Sequence, residues 1–173
     1  ARAARLPVAE KPQSQDICFI PGKDYQAFLE SRGLRSKPGD IVDQNGTVLG
    51  RHKGIVNYTI GQRGGLGISS ASGLHVLRID AKNNRLIVGE RKDLKAAGLV
   101  AGKVNMHVSA LPRRASAKIR YGHAAVPAEV TLRGTKLKVV FEDPQESITP
   151  GQSVVLYDRN VLLGGGIIEQ VLP

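Results

Sequence analysis

The sequence contains a single cysteine, Cys18, between Ile17 and Phe19 and a few residues before a predicted helix. A cysteine acts as a nucleophile or sulfur carrier through its thiolate, which nearby cations or a helix N-terminus favour. The pattern alone, a cysteine between two apolar residues, is more typical of a small buried side chain. One cysteine and four scattered histidines cannot supply the usual structural zinc ligands, so we predict neither an internal disulfide nor a metal site.

A second candidate is the glycine-rich run of residues 50–67. Its glycines allow a ligand to approach the backbone closely, and it contains three cations that could meet phosphates, Arg51, Lys53 and Arg63. The run has neither the Gly-Lys-Ser/Thr ending nor the complete Gly-x-Gly-x-x-Gly pattern of nucleotide sites. A structural loop with a basic surface would have the same sequence, so both interpretations stay open.

A third candidate lies in residues 94–128, a basic stretch without any acidic residue. Several cations free of competing carboxylates are suited to a phosphate backbone. Within the stretch, strand alternation predicts Lys118 and Arg120 on one face and Ile119 and Tyr121 on the other. An Arg-Tyr pair at a strand end offers a phosphate fork and a stacking ring. The competing interpretation is an exposed arginine beside a tyrosine in the core.

For the first part of the chain, the sequence predicts a small α+β arrangement. The spacing of Tyr25, Phe28 and Leu29 predicts a helix over residues 23–32 that ends at Gly33. Asn-Gly in the middle of residues 42–49 predicts a hairpin, because both residues accept the positive φ of a tight turn. Residues 74–80 and 85–90 read as a second hairpin, and residues 92–97 as a short helical turn.

From residue 104 onward, the sequence predicts only β-strands and the turns between them. Strands are predicted at residues 104–110, 117–121, 128–133, 136–142, 153–157, 161–163 and 166–171, with the glycines at 164–166 bending or bulging a strand. With no helix to cover them, these strands must close on themselves to hide their edges. We therefore expect a mainly β protein: a small central domain, with a boundary near residue 104, followed by a closed six- or seven-stranded antiparallel β-barrel.

Composition narrows the class of protein. The 173 residues carry 41% apolar side chains and a formal net charge of +10, which favours an anionic partner, nucleic acid above all. No apolar run is long enough to span a membrane or to form a signal peptide, so we expect a soluble cytoplasmic protein without a membrane partner. The only methionine is Met106, so we expect a processed chain or a piece of a longer one.

Four segments, taken together and in this order, resemble the tRNA-specific 2-thiouridylase family. They are residues 14–20 (Ser-Gln-Asp-Ile-Cys-Phe-Ile), 58–67 (Tyr-Thr-Ile-Gly-Gln-Arg-Gly-Gly-Leu-Gly), 149–153 (Thr-Pro-Gly-Gln-Ser) and 163–168 (Leu-Gly-Gly-Gly-Ile-Ile). The resemblance covers nearly the whole chain and implies three domains. Residues 1–24 would end an ATP-pyrophosphatase (PP-loop) domain, residues 25–104 would form the central domain, and residues 105–173 the C-terminal β-barrel.

The resemblance also implies a reaction. The wobble uridine of tRNA is adenylated by ATP with magnesium, and a cysteine persulfide then delivers sulfur to carbon 2 with loss of AMP. The persulfide carrier of the family corresponds to Cys18. The resemblance therefore favours a functional role for Cys18 over that of a small buried side chain. Residues that match tRNA contacts of the family are Arg120, Tyr121 and Gln152. The implied partners are tRNA and a persulfide-donating sulfur-relay protein or cysteine desulfurase.

The sequence departs from the family pattern in two places. It has no Ser-Gly-Gly-Val-Asp-Ser-like PP-loop, and the cysteine that would pair with Cys18 during turnover is missing. We expect both to lie upstream, with ATP bound there, and we expect this polypeptide alone to be inactive. Two alternatives stay open: a non-catalytic RNA-binding module with a translation-factor-like barrel, and a cysteine hydrolase, which would need a histidine close to Cys18.

Overall fold

The structure, a computed structural model, describes Glu10, Ile20 and residues 25–34, 36–68 and 73–173. The first element is helix α1 (Tyr25–Ser31), which lies within the predicted range. It ends at Gly33, whose φ of 76° is readily adopted by glycine. The N–H of Gly33 donates to the carbonyl of Glu30, and the N–H of Leu34 donates to that of Leu29. This pair of bonds is a Schellman motif, so the predicted cap is confirmed.

Both predicted hairpins are present in a four-stranded mixed sheet. Its strands are β1 (Gly39–Val42), β2 (Val48–His52), β3 (His75–Asp80) and β4 (Arg85–Gly89), in the order β2-β1-β4-β3. The central pair, β1 and β4, is parallel, and the two outer pairs are antiparallel. The sheet packs on a small core of buried apolar residues, namely Ile41, Leu66, Val76, Leu86 and Val88.

The turn between β1 and β2 is fixed by Asp43. Its carboxylate accepts hydrogen bonds from the backbone N–H groups of Thr47 (2.8 Å) and Asn45 (2.9 Å). These donors, Thr47 first, hold the pKa of Asp43 below its ordinary value because they stabilise the ionised form. Gly46 follows with a φ of 88°, which the Asn-Gly signal in the sequence indicates.

The second half of the chain forms the expected closed antiparallel barrel, and it has six strands. They are β5 (Lys95–Met106), β6 (Arg114–Lys118), β7 (Val126–Arg133), β8 (Lys136–Glu146), β9 (Ser153–Asp158) and β10 (Val161–Leu172). Their order around the barrel is β10-β5-β8-β7-β6-β9, and β9 pairs with β10 to close it. Fully buried Leu99, Leu137, Val139, Val154 and Leu156 are part of the core.

The barrel begins earlier than the sequence predicts. The helical turn expected over residues 92–97 is a 3₁₀ helix at Arg91–Leu94, and residues from Lys95 onward are already strand. The expected boundary near residue 104 therefore falls inside β5. Gly98 explains why the sequence misleads: a Cβ there would collide with the carbonyl oxygen of Val139, so glycine permits the close approach of β8.

Strand β10 is continuous across the glycine run, where the sequence predicts two separate strands. The register against β9 shifts between Leu162 and Gly164, where β10 has one residue more than β9, which confirms the expected bulge. A Cβ on Gly165 would meet the carbonyl of Val154, so this strip of the barrel admits no larger residue.

The sheet and the barrel lie in one compact unit, Lys37–Pro173, and α1 lies outside it. The 3₁₀ helix joins the two sheets covalently, and contacts reinforce the junction. The carbonyl of Leu94 accepts a hydrogen bond from the N–H of Ser147 (3.0 Å), and Arg91 pairs with Glu146 (3.1 Å). Among the described residues, no helix has the length and apolar character needed to cross a membrane.

Candidate nucleic-acid interface

A pocket of the barrel lies where strand β6 ends and strand β9 begins. Strand β6 pairs with β9 through Lys118 and Val155, so the residues after β6 lie beside those that lead into β9. Between them is an open cavity of about 690 Å³. It is lined by Lys118, Ile119, Arg120, Tyr121, Gly151, Gln152, Ser153, Val155 and Tyr157. None of these residues is acidic, so the two cations face no competing carboxylate in the lining.

Arg120 is held in place by three hydrogen bonds. Its Nη2 donates to the carbonyl of Ser147 and to Oγ1 of Thr149, both at 3.0 Å, and its Nε donates to Oε1 of Gln152 at 3.3 Å. Within the described part of the chain, the two N–H groups on Nη1 have no hydrogen-bond partner. The guanidinium is therefore pre-positioned, with one end available to an anion or a carbonyl oxygen.

Gln152 is oriented by the same contact. Because a guanidinium can only donate, the amide oxygen of Gln152 must face Arg120, and its NH₂ group takes the other position. The backbone of Gln152 is also fixed, since its carbonyl accepts from the N–H of Ile168 (2.8 Å) and its N–H donates to the carbonyl of Thr149 (3.2 Å). Arg120 and Gln152 together thus present N–H donors, which suit phosphate oxygens or carbonyl oxygens.

The position of Tyr121 shows that the face predicted for it from strand alternation is wrong. Strand β6 ends at Lys118, so the two-residue period stops there, and Ile119 and Tyr121 do not share a face. Ile119 is buried in the barrel core, whereas Tyr121 is 78% exposed. The alternative of an exposed Arg120 and a core tyrosine is also wrong. The Nζ of Lys118 lies 5.5 Å from the centre of the Tyr121 ring, a cation–π contact that leaves the ring on the surface.

Tyr157 is a pocket residue that the sequence analysis missed. It lines the cavity and adds a second aromatic ring to it. Residues 154 and 156 are buried, so the alternate positions Ser153, Val155 and Tyr157 point outward along β9. The sequence did not reveal this, because three consecutive apolar residues, 154–156, hide the alternation. Ser147 and Thr149, which hold Arg120, lie in an irregular turn whose partners the sequence does not reveal.

The remaining predicted contacts lie elsewhere. Arg51 is exposed on β2, and Lys53 follows that strand, with its N–H 3.3 Å from the hydroxyl of Tyr58. Arg63 lines a small cavity of about 160 Å³ in the glycine-rich loop. The structure thus brings Arg120, Tyr121 and Gln152 together and does not bring these three cations to them. Cys18 lies outside the described residues, and its role stays a prediction.

The glycine-rich loop satisfies its own polar groups. Oε1 of Gln62 accepts from the N–H of Thr59 (3.0 Å), and its Nε2 donates to the carbonyl of Gly64 (2.8 Å). Leu66 is buried in the core of the small sheet. The loop therefore has a defined conformation, stabilised by one glutamine side chain and one apolar anchor.

The same loop lies against Ser147, whose carbonyl accepts a hydrogen bond from Arg120. Gly61 has a φ of 88°, and a Cβ at this position would lie 2.6 Å from Oγ of Ser147. Ser147 is itself buried and adopts a left-handed φ of 57°, which is uncommon for a residue other than glycine. Since its carbonyl holds Arg120, the loop packs directly on the turn that positions the guanidinium.

The histidines have no catalytic arrangement in the described structure. His52 is buried, its Nδ1 accepts from the N–H of Gly54 (3.0 Å), and its Nε2 therefore donates to the carbonyl of Asn84 (3.0 Å). Both nitrogens are used to hold the small sheet together. Among the described residues, no three His, Cys, Asp or Glu side chains come together to hold a metal ion. Among the described residues that line the Arg120 pocket, none offers a carboxylate, the oxygen ligand through which proteins commonly hold Mg²⁺.

Comparison with known proteins matches both parts of the fold. A family model described as tRNA methyl transferase PRC-barrel domain matches residues 26–90, and one described as aminomethyltransferase beta-barrel domain matches residues 96–168. The first match covers the small sheet, and the second covers most of the barrel.

Several curated relatives are similar to almost the whole chain. The chain is 47% identical to the tRNA-specific 2-thiouridylase MnmA 1 of Syntrophus aciditrophicus, over 99% of the chain and 46% of that protein. It is 47% identical to the MnmA of Carboxydothermus hydrogenoformans, over 99% of the chain and 48% of the relative. The MnmA of Acetivibrio thermocellus is 44% identical, over 98% and 48%. The chain thus spans about half the length of the curated relatives it matches.

Proposed function

This chain belongs to the tRNA-specific 2-thiouridylase family, and we propose that it is the tRNA-holding portion of an enzyme that exchanges oxygen 2 of the wobble uridine for sulfur. The observation that carries the RNA-binding part is the Arg120–Gln152 pair. It presents N–H donors from a fixed guanidinium and a fixed amide, in a pocket with no acidic residue in its described lining.

The pocket suits a nucleotide better than a simple anion. A phosphate needs only the cations, whereas a nucleotide also needs a flat apolar surface for its base. Tyr121 offers such a surface because most of its ring is exposed, and Tyr157 lines the same cavity. We therefore expect an unpaired nucleotide of a tRNA loop to stack on Tyr121 while its oxygens accept hydrogen bonds from Arg120 and Gln152.

Cys18 is proposed as the sulfur carrier. Its terminal persulfide sulfur would bond to carbon 2 of the activated uracil ring as the oxygen-bearing group departs. A second thiolate would then attack the Cys18 sulfur, break the S–S bond and leave one sulfur atom on the ring. Because Cys18 is the only cysteine of the 173 residues, we expect the second thiolate to come from outside them. The 173 residues also contain no Ser-Gly-Gly-Val-Asp-Ser-like PP-loop, so we expect ATP binding and the activation step to come from outside them as well. After a thiol reductant has opened the disulfide that this step leaves on Cys18, a sulfur-relay protein or cysteine desulfurase would reload Cys18.

The first test measures activity and binding by this polypeptide. With ATP, magnesium and a persulfide donor, the 173-residue chain is expected to form no 2-thiouridine, yet to bind an anticodon stem-loop RNA with uridine at the wobble position. Turnover by the chain would overturn the assignment of the activation step to residues outside it. Absence of RNA binding would overturn the role of the pocket.

The second test separates sulfur transfer from a purely RNA-binding role. Cys18→Ser in the full-length protein is expected to abolish thiolation while tRNA affinity is retained. Unchanged thiolation would contradict the carrier role and favour a non-catalytic RNA-binding module, in which Cys18 only packs. Thermal melting of the variant beside the wild-type protein shows whether a loss of thiolation reflects a loss of folding.

A further inference from the structure

A second groove continues the Arg120 pocket along the outer face of the barrel. Its volume is about 270 Å³, and it passes over the glycine run of β10. Ser153 and Val155 line both the pocket and this groove, so the two are contiguous along β9. On its far side the groove is bordered by residues of β5 and the segment that follows it, namely Lys103, Asn105 and His107.

The floor of the groove carries no side chains along Gly164, Gly165 and Gly166. Barrel packing demands these glycines, because a Cβ on Gly164 or Gly165 would collide with a backbone carbonyl of a neighbouring strand. The glycines also affect how closely a ligand can approach the groove, whatever the reason for their presence. A strip of bare backbone lets an extended polymer approach closely, which side chains on an ordinary strand would prevent.

Lys103 lies at the border of the groove and has an unusual backbone conformation. Its φ is 47°, in the left-handed region that glycine and asparagine adopt more readily than lysine. Here β5 bulges, since the register against β10 shifts between Gly165 and Ile167. Bulges re-aim side chains and are frequent beside binding sites. Lys103 is exposed, and among the described residues no acidic side chain forms an ion pair with it.

We propose that this groove binds the ribose-phosphate backbone of the same RNA that occupies the Arg120 pocket, with Lys103 contacting a phosphate. The inference rests on the proposed function and extends it from one nucleotide to the adjoining backbone. Asn105 and His107 line the same border and supply polar groups for further phosphate or ribose oxygens. Among the described residues that line the groove and the pocket, none is acidic, so a polyanion meets no carboxylate from that part of the chain.

The test replaces Lys103 by asparagine, which removes the charge and accepts the left-handed backbone. The matched control is Lys138→Asn, because Lys138 is an exposed lysine on β8 that lines neither cavity. Binding of the anticodon stem-loop RNA is measured at several salt concentrations. We expect Lys103→Asn to weaken binding about three- to tenfold and to reduce the slope of log K against log salt by about 0.7–0.9. Lys103→Arg is expected to retain both values.

The outcomes separate this inference from the proposed function. If the wild-type chain binds the RNA and Lys103→Asn behaves as Lys138→Asn does, the groove assignment is wrong and the Arg120 pocket stands. If the wild-type chain does not bind the RNA, the proposed function fails and the groove assignment fails with it. Thermal melting of each variant shows whether a loss of binding reflects a loss of folding.

Discussion

Gln152→Glu is the substitution that tests the pocket most directly. It preserves the shape of the side chain, and an acceptor oxygen still faces Nε of Arg120, where the wild-type bond measures 3.3 Å. It converts the NH₂ group, which we propose donates to the RNA, into a carboxylate oxygen. The variant therefore keeps the internal contact, removes the external donors and adds one negative charge to a pocket whose described lining holds no acidic residue.

The expected effects on stability and on binding differ in size. The new pair with half-buried Arg120 replaces a neutral acceptor by a charged one, and such partly exposed pairs contribute about 0–1 kcal/mol. A lost hydrogen bond to a phosphate costs about 1.5–3 kcal/mol, and repulsion between the carboxylate and a phosphate adds about 1 kcal/mol. We therefore expect RNA affinity to fall by at least about 30-fold while the melting temperature is unchanged or slightly higher.

The assay compares fluorescence anisotropy of a labelled anticodon stem-loop with thermal melting of the protein. Gln170→Glu is the matched control, because Gln170 is an exposed glutamine of β10 outside the Arg120 pocket and the variant carries the same charge change. The reasoning is refuted if the two variants bind RNA within about threefold of each other. It is also refuted if Gln152→Glu loses binding only in proportion to a loss of folding.

Two further predictions concern turns. Gly61→Ala is expected to destabilise the protein by more than Gly46→Ala: both have a φ of 88°, which costs about 1–2 kcal/mol, but only at Gly61 would the Cβ also press on Ser147. Equal losses in chemical denaturation would contradict the contact. Asp43, whose pKa the Thr47 N–H lowers, is expected to contribute stability above its unfolded pKa near 3.8 and to lose it as the pH falls through the lower folded value. Asp43→Asn should remove that pH dependence, and a carboxyl NMR titration showing an ordinary pKa would refute it.

Local turn chemistry made the small sheet predictable. Asn-Gly at residues 45 and 46 favours positive φ, and the structure shows it at Gly46 between the two predicted strands. Gly33 ends α1 for the same reason. Such signals depend only on residues close in sequence, so no knowledge of the fold is needed to interpret them.

The start of the barrel could not be predicted in this way. Residues 95–102 are rich in alanine and glycine, which have little preference for strands. They form β5 because β8 and β10 lie on either side of it and bury Leu99 and Ala101. The pairing partners are distant in sequence, so the strand is imposed by barrel closure and is absent from the local pattern.

The pocket depends on the same long-range closure. Arg120 and Gln152 are 32 residues apart, and they meet because β6 lies beside β9. Alternation failed at Tyr121 because β6 ends at Lys118, a point that no local signal marks. The resemblance to the family led us to expect Arg120, Tyr121 and Gln152 as RNA contacts, and the barrel places all three in the lining of one cavity.

The structure also gives a physical reason why two separate motifs belong together. The turn that follows β8 places Ser147 between Gly61 of the glycine-rich loop and the guanidinium of Arg120. A displacement of the loop would therefore move the carbonyl of Ser147, one of three acceptors that fix Arg120, and it would alter the direction of the free Nη1 donors. If RNA binds at Arg120 as we propose, the glycine-rich loop would affect that binding without touching RNA, because it packs on the turn that orients Arg120.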